Sequence, residues 1–390
     1  MKKKIAVVFD HLIVGGAERS LIQFLRAIDP DRYDITLFTR TANNIYAKEI
    51  PDRIRIWPTA DMIQDPRTLL LDDLKHARIF QLIRSLWLRV LLRIRKHPYE
   101  KLLITHRIQR EVPELFDLAI AYKLNYDDTA FTLGRLRARK KCAWVHSIVS
   151  YDGKDACVYK SARAFQKIYC VSRFAMAQFQ KTYPYLAKKA DVIHNLIDAP
   201  AILEKAAEPF SPPLRAPALV TVGRLSDEKG QVMIPQIARK LIDSGHLIYW
   251  YLIGDGPARP QILENIRRYG VEDHVFLLGA RENPYPHMQA CQIYVQTSYS
   301  EGWCLTTQEA RILCKPVVTT GIPVMEEQFA HGKDGSIAKD TTPEAIAAEI
   351  LELLDHPALP QGYIDALKVA SHGYPDELQK LYDFIEDQGA

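Results

Sequence analysis

The sequence predicts an α/β protein built from two doubly wound, Rossmann-like domains that face each other across a cleft. Three observations predict it. The chain has 390 residues, long for one domain and comfortable for two. In both halves, short apolar runs alternate with helix-period stretches, the pattern of parallel sheets covered by helices. Between the halves, "AEPFSPPLRAP" at 207–217 carries four prolines and no periodic pattern. The expected organisation is a first domain over 1–206, a linker at 207–217, a second domain over 218–375, and a tail at 376–390. That tail contains "DELQKLYDFIED", a helical pattern that could pack on either domain.

The expected strands follow in order. In the first half they are "KIAVVF", "YDITLF", "FDLAIAY", "CAWVH", "KIYCVS" and "ADVIHN"; in the second, "ALVTVG", "LIYWYLIG", "HVFLLG", "QIYVQTS" and "KPVVTT". Helices are expected between many of them, over 17–28, 231–243 and 259–269 among others. Two such sheets bind ligands beyond the carboxyl ends of their strands.

Composition excludes several classes. Hydrophobic residues make up 47% and charged residues 25%, and the formal charge is +4. That is ordinary for a globular protein and too weakly basic to imply nucleic acid. No stretch reaches the ~18 uninterrupted apolar residues of a spanning helix. The basic tip and apolar run of "MKKKIAVVFDHL" imitate a signal peptide. Asp10 and His11 break that run, so Ile5 to Phe9 reads as a buried strand. Six scattered cysteines form no Cys-x-x-Cys pair, which points to a reducing cytoplasm without metal sites or disulfides.

Three stretches carry chemistry. "VGGAERS" follows the first strand and opens the first helix. There Gly15 and Gly16 let backbone approach a ligand, and the helix end offers N–H groups to an anion. A tight structural turn would read the same way, and the dinucleotide fingerprint is absent. In "VTVGRLSDEKG", Arg224 and Lys229 flank the loop after a strand, cations suited to a diphosphate. They could equally pair with Asp227 and Glu228 as a solvated loop. "IGDGP" is another glycine turn after a strand, read as structural.

The third stretch is "SEGWCLTTQEA" at 300–310. Glu301 should lie in the loop after a strand and Glu309 inside the helix that follows. The unpaired N–H groups near Cys304, Leu305 and Thr306 would point at an anion between the two carboxylates. A sugar, a diphosphate and a ribose have that layout. The alternative is an ordinary acidic surface helix.

These motifs, with "VIHNLID" and "CKPVV", stand in the order and spacing of the retaining nucleotide-sugar glycosyltransferases of family 4. The resemblance covers nearly the whole chain and is strongest over 218–320. It implies the GT-B fold and a nucleoside diphosphate sugar as donor, with no cofactor and no metal. By resemblance, Glu301 would bind hydroxyls of the donor hexose, with backbone from Gly302 through Trp303 and Cys304 to Leu305 beside sugar and phosphate. Glu309 would hold the ribose. Arg224 and Lys229 would neutralise the departing diphosphate. Gly15 and Gly16 would approach donor or acceptor, and His146 would match the family's first-domain histidine. Three departures from the family pattern stand out: His146-Ser147 for the usual His-Asp, Leu196 for Gly, and Trp303-Cys304 for Phe-Gly, the last of which touches donor preference. Asp29–Asp31 imitates a metal-binding Asp-x-Asp but ends the first helix, so no metal is assigned to it.

Residues 75–110 hold ten Lys or Arg and one acid, Glu100. On a helical wheel, Ile79, Phe80, Ile83, Leu86, Trp87, Val90, Leu91 and Ile94 share a face. Arg78, Arg84, Arg89, Arg93, Arg95 and Lys96 lie on the other side, with Leu82, Leu88 and Leu92 among them. Such a helix either contacts an anionic membrane peripherally or packs its apolar face as first-domain core. The expected function is transfer of a hexose to a hydroxyl acceptor, a glycan or lipid-linked glycan, at the cytoplasmic face of the membrane. Two alternatives stay open: a GT-B nucleotide-sugar epimerase, and a non-catalytic nucleotide-sugar or glycan-binding subunit. A glycosidase is disfavoured, because two carboxylates at one bond explain neither the cations nor the glycine turns.

Overall fold

The computed structural model describes residues 2–12, 15–40, 48–59, 79–109, 111–148, 156–369 and 377–387, together with 69, 74 and 75. They form two compact units, residues 1–196 with 375–390, and residues 197–374.

In the first unit the strands are β1 (Lys3–Val8), β2 (Tyr33–Thr39), β3 (Arg55–Pro58), β4 (Leu115–Ala121), β5 (Arg137–Val145), β6 (Lys167–Cys170) and β7 (Ala190–Val192). They form one sheet in the order β3-β2-β1-β4-β5-β6-β7, with every pairing parallel. The second unit holds β8 (Ala218–Val222), β9 (Tyr249–Ile253), β10 (Val275–Gly279), β11 (Ile293–Gln296), β12 (Val317–Thr319) and β13 (Ser336–Ile337). Their order is β10-β9-β8-β11-β12-β13, again all parallel. Helices cover both faces, so successive strand residues enter different cores. Leu219, Val295 and Val318 join one cluster, while Val220, Tyr294 and Val317 join the other. Continuous apolar runs, rather than alternating ones, follow from that double burial.

The eleven expected strands are present. Two were not expected: β3, a four-residue edge strand ending in Pro58, and β13, two residues long. Neither is long enough to leave a pattern. The boundary also differs from the expected linker at 207–217. It falls at Leu196/Ile197, because helix Ala199–Ala206 buries Ile202 in the second unit's core, with Leu214 packed on the same cluster. The proline stretch is therefore part of the second unit.

The tail forms helix Glu377–Glu386 and packs on the first unit. Tyr382 stacks on Tyr33 with centroids 5.0 Å apart, and Glu377 Oε1 lies 2.7 Å from His194 Nδ1. Lys140 Nζ donates to the carbonyl of Phe384 at 2.7 Å.

The basic stretch forms helices Ile79–Ile94 and Pro98–Ile108, the second started by Pro98 with His97 Nδ1 accepting from Tyr99 N at 3.3 Å. Among the described side chains of the first helix, Ser85 and Leu88 are the buried positions. The alternative of a buried apolar face is thereby overturned: Ile79, Phe80, Ile83, Leu86, Trp87, Val90 and Ile94 are exposed, and Leu91 is half-buried. Arg78 and the side chain of Leu82 lie outside the described residues.

Candidate functional site

In a parallel sheet the strand order reverses once, and the loops leaving the two strands on either side of that point diverge to open a crevice. In the second unit the reversal lies between β8 and β11, which pair Leu219 with Ile293 and Val220 with Tyr294. The two loops beyond them carry Arg224 to Gly230 and Thr297 to Glu301.

These loops are tied together at three places. Tyr299 N donates to the carbonyl of Glu228 at 2.9 Å, and Thr297 Oγ1 to the carbonyl of Lys229 at 2.8 Å. Lys229 Nζ meets Glu301 Oε1 at 2.6 Å. The approach is close enough that Gly230 is required. Its φ is +65°, and a Cβ there would stand 2.1 Å from the carbonyl oxygen of Thr297.

The Lys229–Glu301 pair is mostly buried, with side-chain exposures of 22% and 8%. Burial works to lower the Lys229 pKa, but the adjacent Glu301 outweighs it, and the ammonium is held above its usual range. Glu301 Oε1 also accepts from Ser298 Oγ at 2.7 Å. Both bonds fall on Oε1, which leaves Oε2 for another donor. Ser298 Oγ accepts from Gln296 Nε2 at 2.8 Å, and Gln296 Oε1 accepts from Tyr294 Oη at 3.0 Å and Thr306 Oγ1 at 3.3 Å. A continuous polar chain thus runs from Lys229 to the start of the next helix.

That helix is Leu305–Ile312, with Cys304 at its N-cap and no side-chain hydrogen bond closing the cap. Its first N–H groups therefore lie where an anion would be held. From behind, Thr307 Oγ1 and Gln328 Nε2 donate to the carbonyl of Cys304 at 2.8 and 3.3 Å, which fixes the turn. Trp303 and Cys304 are buried. Burial, then the charge of Glu301, push the Cys304 thiol up to about 11, so it is a protonated packing group rather than a nucleophile.

Two expected residues sit apart from this pair. Glu309 lies one turn into the helix, buried, where Tyr285 Oη donates to its Oε1 at 3.1 Å. Arg224 is exposed and pairs with Glu228 at 2.7 Å. The solvated-loop alternative thus describes Arg224 but not Lys229. "IGDGP" is structural: Gly254 has φ +145°, and a Cβ would stand 1.9 Å from the carbonyl oxygen of Gly223.

In the first unit the order reverses between β1 and β4. Gly15 caps helix Gly16–Ala27 without a side-chain bond, and a Cβ at Gly16 would meet nothing within 4 Å. The buried Glu18 carboxylate pairs with Lys123 at 2.7 Å. Asp128 joins the ends of β1 and β4 by accepting from Asp10 N at 2.9 Å and Lys123 N at 3.0 Å. Burial pushes its carboxyl up to about 7, against those N–H bonds and the Lys123 charge. His146 Nε2 donates to the Tyr122 carbonyl at 2.8 Å, leaving Nδ1 as the acceptor nitrogen. Burial and then Lys123 lower the His146 pKa to about 3, so the ring is neutral.

Sequence reasoning missed Glu18, Lys123 and the Gln296–Ser298–Thr306 chain. Lys123 had a signal, a lone cation immediately after the apolar run "FDLAIAY"; Glu18 stood in the quoted glycine motif. Asp29 Oδ1 accepts from Asp31 N at 2.9 Å in the turn after the first helix. Among the described residues no three His, Cys, Asp or Glu side chains converge as a metal site.

A GT-B fold with polar pairs at both strand-order reversals defines the class. Residues 204–368, most of the second unit, match the family model described as glycosyl transferases group 1, in line with the resemblance to glycosyltransferases at that coarser level. A Campylobacter jejuni relative, an N-acetylgalactosamine-N,N'-diacetylbacillosaminyl-diphospho-undecaprenol 4-alpha-N-acetylgalactosaminyltransferase, is 23% identical over 188 residues, 48% of this chain and 50% of its own. A Staphylococcus aureus poly(ribitol-phosphate) alpha-N-acetylglucosaminyltransferase is 24% identical over 35% of this chain and 28% of its own. The match with the Campylobacter relative thus spans half that relative's length. Among solved structures, Anabaena HepE in complex with UDP and glucose has a TM-score of 0.70 at 17% identity, covering 99% of this chain and 100% of its own. A variant of S. aureus TarM, in complex with fondaparinux, alpha-GlcNAc-glycerol and UDP, has a TM-score of 0.71 at 11% identity, with 99% and 100% covered. These likenesses establish the fold.

Proposed function

We propose that this chain is a retaining glycosyltransferase that moves a hexose from a nucleoside diphosphate sugar to a hydroxyl of a glycan or lipid-linked glycan acceptor. The setting is synthesis of cell-surface polysaccharide or glycolipid on the cytoplasmic side of the membrane. The observation that carries the reading is the Lys229–Glu301 pair, 2.6 Å apart in the loops after β8 and β11 and beside the uncapped start of helix Leu305–Ile312. One end of this arrangement is cationic and the other anionic, as a diphosphate joined to a sugar requires. The relatives named as glycosyltransferases and the neighbours solved with UDP support it.

In this reading Lys229 keeps one N–H on Glu301 and turns the others to the diphosphate. Together with the N–H groups from Cys304 to Thr306 it takes up the charge that develops as the diphosphate leaves. Glu301, fixed through Oε1, accepts sugar hydroxyls at Oε2. Glu309, oriented by Tyr285, takes the ribose hydroxyls, and Arg224 leaves Glu228 for the outer phosphate. Neutral His146 accepts a hydroxyl at Nδ1. Because these groups supply positive charge themselves, donor binding proceeds without a divalent metal.

The test is thermal stabilisation of the full chain by a panel of nucleotide sugars, followed by hydrolysis and transfer assays on the hits. Stabilisation without turnover, or turnover that only alters the sugar's configuration, would replace this reading by a binding subunit or an epimerase. Product of opposite anomeric configuration to the donor would overturn retention. Activity abolished by a chelator and restored by magnesium or manganese would overturn metal independence.

A further inference from the structure

A soluble helix buries its apolar stripe and shows its polar side to water. Helix Ile79–Ile94 does the reverse. Ile79, Phe80, Ile83, Leu86, Trp87, Val90 and Ile94 are exposed by 67, 81, 61, 48, 61, 54 and 65%. At 3.6 residues per turn they fall within an arc of about 120°. Ser85 and Leu88, on the far side, are buried and seat the helix on its unit. Single exposed apolar residues are common, but seven on one stripe mark an interaction surface.

Charge identifies the occupant. The helix contains no acidic residue. Arg84 borders one edge of the stripe and Arg93 the other, and Arg95 and Lys96 follow at its end, all exposed. Arg84 is also braced, its Nη2 donating to the carbonyl of Arg107 at 3.2 Å. A second copy related by a two-fold axis would set these basic edges against themselves. An anionic bilayer meets both demands, with acyl chains for the stripe and phosphates for its edges. No described helix is long and apolar enough to cross a membrane, which leaves the in-plane position.

We infer that helix Ile79–Ile94 docks the chain on an anionic lipid surface, with Phe80, Ile83, Trp87 and Val90 below the head groups and Arg84 and Arg93 level with them. The helix belongs to the first unit, and this inference stands whether or not the proposed transfer reaction is correct.

The experiment uses the full chain with vesicles of phosphatidylcholine alone or with phosphatidylglycerol, by flotation at low and high salt. Binding is expected to phosphatidylglycerol vesicles and to weaken with salt. F80S/I83S/W87S should weaken it roughly 100-fold or more, and R84Q/R93Q should remove the preference for phosphatidylglycerol. Brominated lipid should quench the share of the tryptophan fluorescence that W87F removes, a second reading that does not depend on the triple variant folding. Wild type that stays unbound at low salt, a triple variant that floats as wild type, or an unquenched Trp87 would each overturn the inference. So would a wild-type dimer that the triple variant dissolves and vesicles leave intact, since the occupant would then be a second copy.

Discussion

Replacing Lys229 by Met would remove the ammonium while keeping most of the side chain's volume. Glu301, with a side chain only 8% exposed, would then retain the Ser298 hydroxyl at 2.7 Å and lose its 2.6 Å counter-ion. Breaking a buried pair from one side costs about 3–5 kcal/mol. At roughly 2–4 °C per kcal/mol for a unit of this size, Lys229→Met should lower Tm by about 6–20 °C. Lys229→Met/Glu301→Gln leaves no charge behind and should recover most of that loss, a coupling of about 2–4 kcal/mol. Transfer activity should not recover in the double variant, and should fall about 10²–10³-fold in each. Thermal melts of wild type, Lys229→Met, Glu301→Gln and the double variant decide it. Strictly additive effects would refute the buried-pair account; a Lys229→Met enzyme with near-wild-type turnover would refute the charge role.

Other expectations follow from single contacts. Glu309→Ala should weaken free nucleoside diphosphate and nucleotide sugar alike. Tyr285→Phe, which removes the 3.1 Å bond to Glu309, should raise the donor KM several-fold with kcat nearly unchanged; equal nucleotide affinity in wild type and Glu309→Ala would exclude the ribose role. Gly230→Ala should cost about 3 kcal/mol or more, since a Cβ at φ +65° meets the Thr297 carbonyl oxygen at 2.1 Å, and melts that match wild type would contradict it. Burial, then Arg135 and Arg40, lower the His106 pKa to about 4. Its neutral form therefore contributes stability present above ~6.5 that is lost as pH falls through 4, about 3 kcal/mol in all. His106→Phe should flatten the stability profile between pH 6.5 and 4, and an unchanged slope would assign acid sensitivity elsewhere.

The sequence by itself determined the two parallel-sheet units and the placement of the motifs at strand ends. A strand buried on both faces has to be an uninterrupted apolar run, and eleven such runs are visible without coordinates. It also placed Glu301 in a loop and Glu309 in a helix, because cap and strand signals act over a few residues. It could not decide which loops meet. Lys229 and Glu301 are 72 residues apart and touch only because β8 lies beside β11. Arg224, five residues before Lys229, takes Glu228 of its own loop as its partner instead. The boundary at Leu196/Ile197 was hidden for the same reason. Prolines mark irregular chain, whereas a domain boundary is where contacts cease, and Ile202 and Leu214 still contact the second core. Periodicity likewise revealed an apolar stripe on Ile79–Ile94. Period records only that eight side chains share a direction. Whether that direction is inward or outward depends on where Leu88 and Ser85 find their contacts, and this only the tertiary structure decided.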